Sequence, residues 1–105
     1  MPTDERLFEP ELHRLHAELL ARQNGGLARV EASFREAIEV ARRQAARSLE
    51  LRAATSYARW LGSAGRRNEG RERLEQVCGW FSGASDTRDL EEARTLLREL
   101  TVGAR

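Results

Sequence analysis

Apolar side chains recur three and four positions apart through five successive segments of this 105-residue chain, and that period fits helices rather than strands. The first set is Phe8, Leu12, Leu15 and Leu19, with Leu20 beside them, which gives a helix from Phe8 to Gln23. Pro10 falls near its start, where a missing N–H costs nothing, and Asn24-Gly25-Gly26 ends it. Leu27, Val30, Phe34, Ala37, Ile38 and Ala41 carry a second helix to Arg43 or Gln44, running back along the first. Ser48 is placed to cap a third, whose stripe is Leu49, Ala53, Ala54, Tyr57, Ala58 and Leu61 before Gly62 and Gly65. A fourth turns Leu74, Val77, Cys78 and Phe81 to one side and stops near Ser82-Gly83, with Gly70 inside it as a weak point worth about 1 kcal/mol against Ala. Asp86 or Thr87 caps a fifth, carrying Leu90, Ala93, Leu96, Leu97 and Leu100 and fraying past Thr101. Val and Ile are sparse and no stretch alternates, so no strand is predicted.

Length and charge narrow the functional classes. One domain fits 105 residues, and an apolar fraction of 40% with only 2 Pro marks a chain that folds. The 18 positive side chains, all Arg, nearly cancel 17 acidic ones, so no global field draws in nucleic acid or a membrane surface. Codon bias explains the absence of Lys better than a demand for bidentate pairing. The single Cys78, beside Val77, Trp80 and Phe81, suggests burial and a reducing compartment. With no export signal in MPTDERLFEP and no apolar run of about 20 residues, a cytoplasmic location is predicted.

The two hairpins repeat one another. Val30, Phe34 and Ala37 correspond to Gly70, Leu74 and Val77 at a shift of 40 residues, and Ala17 and Leu20 to Ala58 and Leu61 at a shift of 41. Small residues let paired helices approach, and the larger ones fill the gap to the next hairpin. This arrangement resembles the tetratricopeptide pattern, although the repeat exceeds the usual length of about 34 residues, Gly70 stands where that pattern has Ala, and no Pro closes either repeat. The stretches DERLFEPELHRLHAELL, EASFREAIEVARRQAARSLELRAATSYARWL and GWFSGASDTRDLEEARTLLREL look like the C-terminal end of the tetratricopeptide-like region in large bacterial signalling proteins. Those proteins join a cyclase or transcription-regulator domain to an ATPase module and a helical repeat tail. The resemblance implies right-handed stacking of repeat one (about 8–44), repeat two (about 48–83) and a capping helix (about 87–100). It transfers no activity, and the phosphate-binding loop ending in Lys-Ser or Lys-Thr is absent with Lys itself. The alternative architecture is a closed helical bundle.

Each residue type able to carry chemistry has a plainer reading. His13 and His16, with Glu9, share a helix face at metal-ligand spacing, but no fourth ligand can be named, so no metal or cofactor is predicted. Cys78 lies in an apolar stripe that favours inert packing over nucleophilic work. The acidic residues Asp86, Asp89, Glu91 and Glu92 offset a helix dipole, and Trp80-Phe81 seals a gap beneath the next helix. Around Arg66 to Arg73, Glu69, Glu72 and Glu75 would repel phosphate. The chain is therefore read as a non-catalytic protein interaction or regulatory scaffold module, with a small ligand-sensing or enzymatic domain as the alternative.

The resemblance also selects surfaces. In such proteins the first helix of each hairpin lines the concave face, and aligning Ala17 and Ala58 to its small position turns Arg14, Glu18, Arg22, Arg52, Thr55 and Arg59 inward. Four guanidiniums there would favour an acidic peptide or a C-terminal carboxylate. Two hairpins fall short of the roughly three repeats that usually stabilise an array. Leu7, Phe8, Leu12, Leu15 and Leu27 are accordingly expected to stay partly exposed, and either to pair two copies as a homodimer, the preferred reading, or to dock onto the repeats of a longer parent protein.

Overall fold

The computed structural model describes the backbone of residues 2–23, 26–80 and 88–102, and the side chains of residues 9–23, 26–79 and 88–102. Five helices follow in order, α1 (Pro2–Arg22), α2 (Leu27–Arg43), α3 (Arg47–Ser63), α4 (Arg67–Trp80) and α5 (Arg88–Val102). No strand occurs among the described residues. The fold is the predicted all-α one: α1 with α2, and α3 with α4, form antiparallel hairpins, and α5 packs on the second. α1, α3 and α5 lie side by side, while α2 and α4 sit behind them without backbone contact to each other. The shortest dimension, 18 Å, is that of two helix layers at the usual spacing of about 8–10 Å.

Burial of the apolar stripes builds two clusters that meet at α3. Phe34, Val30 and Ala17 of the first hairpin close on Tyr57 and Leu61, whose neighbours Leu51, Ala54 and Ala58 belong to the other cluster with Leu74, Val77, Leu90, Ala93 and Leu100. Ile38 of α2 packs against both. Ala17 and Ala58, the small positions of the repeat, are wholly buried. The same close approach explains Gly70: a Cβ there would stand 2.9 Å from the Ala58 carbonyl oxygen and 3.3 Å from Leu61 Cβ. Gly70 is thus where α3 and α4 touch, and its helix-propensity cost is what permits that contact.

A polar cluster ties the hairpins together. The Glu31 carboxylate of α2 accepts hydrogen bonds from the Tyr57 hydroxyl and, at 2.8 and 3.2 Å, from the Arg66 guanidinium. Arg66 also holds Glu69 at 2.9 Å, and Arg73 lies over the Tyr57 ring at 5.2 Å. The Arg66 and Tyr57 hydrogen bonds hold the Glu31 pKa down at about 2, against the opposing effect of burial.

Several local expectations need correction. α1 begins well before Phe8, so Pro10 is inside the helix and fully buried. Ser48 does not cap α3, because that role falls to Ala46, which makes no side-chain cap bond. The physical reason is that α2 ends in a six-residue closure, Ala46 N–H to Ala41 carbonyl at 2.9 Å, that leads directly into α3. α5 continues through Thr101 to Val102, whereas the stop at Ser82-Gly83, the caps Asp86 and Thr87, and Phe81 lie outside the described residues.

The two helix ends at 41–46 and 61–66 share one motif with one difference. Arg66 N–H bonds the Leu61 carbonyl at 2.8 Å, and Gly65 takes the left-handed φ of 84° that the motif requires. In the first copy Ala45 holds φ 55°, where a Cβ costs about 1–2 kcal/mol. Ala45→Gly relieves that strain against an unfolded-state entropy cost of about 0.4–1 kcal/mol. A net gain of up to about 1 kcal/mol, or about 4 °C in a thermal melt followed by circular dichroism, is the expected result.

Candidate functional site

The layer formed by α1, α3 and α5 carries an open trough of about 220 Å³ lined by Arg14, Glu18, Arg52, Thr55, Ser56, Arg59, Asp89 and Glu92. Five of the six residues expected on the concave face are here, brought together by small buried residues that let α1 and α3 run close. Arg22 is not among the lining and stands exposed on the last turn of α1.

The electrostatics differ from a bank of unpaired guanidiniums. Arg14 donates to Glu11 at 2.6 Å, to Glu18 at 3.1 Å and to the Ser56 hydroxyl at 3.3 Å. Arg52 spans the layer, meeting Glu11 of α1 at 3.0 Å and Asp89 of α5 at 3.1 Å. The Asp89 hydrogen bonds are the main cause of a raised Arg52 pKa, with Glu11 adding to it. Thr55 is buried and its hydroxyl donates to the Leu51 carbonyl at 2.8 Å, so it forms floor and offers no free donor. Three Arg in the lining face three carboxylates, Glu18, Asp89 and Glu92. Arg59 and Glu92 are exposed and make no ion pair among the described residues. Arg59 is therefore the one arginine of the lining without a carboxylate partner among the described residues.

Glu11, Ser56, Asp89 and Glu92 were not anticipated as members of the site. Glu11, Arg14 and Glu18 stand at helical spacings that favour ion pairs, a readable signal. Asp89 and Glu92 join only because α5 packs against α3, which periodicity cannot tell.

The remaining candidates stay apart from the trough. His13 lies 3.7 Å from Glu9, and His16 approaches the Ser33 hydroxyl at 3.4 Å. Among the described residues no group of three or more His, Cys, Asp and Glu side chains is placed to hold a metal. Cys78 packs half-buried against the second core, where burial raises its pKa and nearby Arg94 opposes that shift. No helix among the described residues is long and apolar enough to cross a membrane.

The outer face of α1 is apolar. Leu12, Leu15 and Leu19 are 64%, 51% and 52% exposed, on the side opposite Pro10 and Ala17. Leu27, at the start of α2, is 65% exposed, as expected. The side chains of Leu7 and Phe8 lie outside the described residues.

No protein family, curated protein or solved structure matches the chain.

Proposed function

We propose that this chain is a non-catalytic interaction module of tetratricopeptide-like build, a regulatory scaffold whose trough across α1, α3 and α5 holds an extended segment of a partner protein. The observation that carries this reading is the trough itself, a polar depression across α1, α3 and α5 in which Arg59 and Glu92 make no ion pair among the described residues. A partner segment that places a carboxylate on Arg59 and a basic group toward Glu92 matches that pair. Because Arg14 and Arg52 are satisfied within the chain, a generally acidic partner gains less than one with a single well-placed carboxylate. The sequence resemblance supports a bacterial signalling setting in the cytoplasm, and the near balance of 18 positive and 17 negative side chains favours a protein partner over nucleic acid or a lipid surface.

Fluorescence anisotropy with two labelled pools of random hexapeptides, one ending in a free carboxylate and one in an amide, tests the reading. Preferential binding of the carboxylate pool, weakened about tenfold in Arg59→Gln by loss of a charge-assisted hydrogen bond, is the expected result. Equal binding of both pools, or no binding of either, overturns it.

A further inference from the structure

The leucine face of α1 is open, and its pattern is complementary to itself. Leu12, Leu15 and Leu19 follow the three-four spacing by which one helix packs along another, and α1 is long enough, at 21 residues, for such a contact. An antiparallel pairing of two α1 helices about a twofold axis between residues 13 and 14 sets Leu12 of each copy against Leu15 of the other. Leu19 then lies over the N-terminal turns of the opposite α1. Sliding the copies by one heptad instead sets Leu15 of each copy against Leu19 of the other but puts Leu12 against Arg22, so that register faces a leucine with an arginine at each end.

The rims of the stripe agree with that register. Exposed Glu9 of one copy comes to exposed His16 of the other, an acid facing an imidazole on both sides of the axis. On the opposite rim Glu11 and Glu18 would meet their like, a repulsion that is reduced because Arg14 pairs with both and Arg52 also holds Glu11. A parallel pairing would turn His16 toward Glu11, whose carboxylate is engaged, and would align the two helix dipoles.

From this complementarity we infer that the chain self-associates as a twofold dimer through antiparallel contact of its α1 helices, centred on Leu12 and Leu15. One helix face per copy buries less than the roughly 1,200 Å² at which standard interfaces begin, so a dissociation constant in the micromolar range is expected. The contact is centred on Leu12 and Leu15, which do not line the trough, so Leu15→Asp tests the dimer without altering the peptide site, of which only Glu18 is shared with the contact rim.

Sedimentation equilibrium of the full chain from about 1 to several hundred micromolar tests it, with the weight-average mass expected to rise from 11.9 kDa toward twice that value. Leu15→Asp is expected to remain helical, since the residue is half exposed, and to raise the dissociation constant more than about tenfold. Register is read by oxidising mixtures in a Cys78→Ser background. A copy carrying Leu12→Cys should form its disulfide with a copy carrying Leu15→Cys in preference to either homodisulfide. A monomer at every concentration, masses that climb beyond the dimer, a Leu15→Asp variant that still dimerises, or a preferred Leu12→Cys homodisulfide would each overturn the inference.

Discussion

Phe34→Ala is expected to destabilise the protein by about 3–5 kcal/mol, the range for truncating a buried aromatic ring. The ring is almost wholly buried where the hairpins meet, stacked on Tyr57 at a centroid distance of 5.5 Å and tilted against Trp60 at 6.0 Å. Removing it leaves a cavity bounded by α2 and α3, which are joined by a short closed turn and have little freedom to collapse into the space. Urea unfolding followed by circular dichroism measures the loss. Leu19→Ala, read in the same experiment at low concentration, should stay within about 0.5 kcal/mol, because that side chain is half exposed and no core depends on it. Equal losses for the two variants would contradict the assignment of core and surface.

Acid should expose the second large contribution, from Glu31. Its pKa in the folded chain is lowered from 4.5 to about 2, first by the Arg66 hydrogen bonds and then by that from Tyr57. A carboxylate with a depressed folded-state pKa stabilises fully above its unfolded value and loses that contribution as it protonates. Stability should therefore be level above pH 4.5 on account of this group and fall as pH drops toward 2. Glu31→Gln removes the charge that Arg66 and Arg35 share and leaves the Tyr57 hydroxyl a weaker acceptor. It is expected to cost about 2–3 kcal/mol at pH 7, and to flatten the slope between pH 4.5 and 2 relative to the parent chain. A parallel slope in parent and variant would show that Glu31 is not the group responsible.

Much of this architecture was legible in the residue spacing. Stripes such as Val30, Phe34 and Ala37, or Leu90, Ala93 and Leu96, register burial directly, because a helix returns the same face to the core every three to four positions. The pairing of hairpins was legible because Ala17 and Ala58 recur with Phe34 and Leu74 around them. Helix ends were harder. Ser48 is a good capping residue in isolation, but the closure at Ala41 to Ala46 is set by hydrogen bonds along the backbone and displaced it. Gly70 reads as a weak helical residue until the Ala58 carbonyl is found beside it. The trough was half legible: the tetratricopeptide resemblance groups Arg14, Arg52 and Arg59, yet the pairing of Arg52 depends on Asp89 arriving from α5.

The place of α3 has a further consequence. Among the described residues it is the one helix in contact with all four others, and its residues from Ala53 to Ala58 are buried without interruption. A segment so enclosed cannot come free unless both clusters open together, whereas α1 and α5 each border the molecule on one side. Local opening is therefore graded from the edges inward. A protease meeting the native chain would gain access through α1 or α5 first, and turnover of the protein would be governed by how firmly its outer helices are held, by partners or by a second copy, rather than by the strength of its centre.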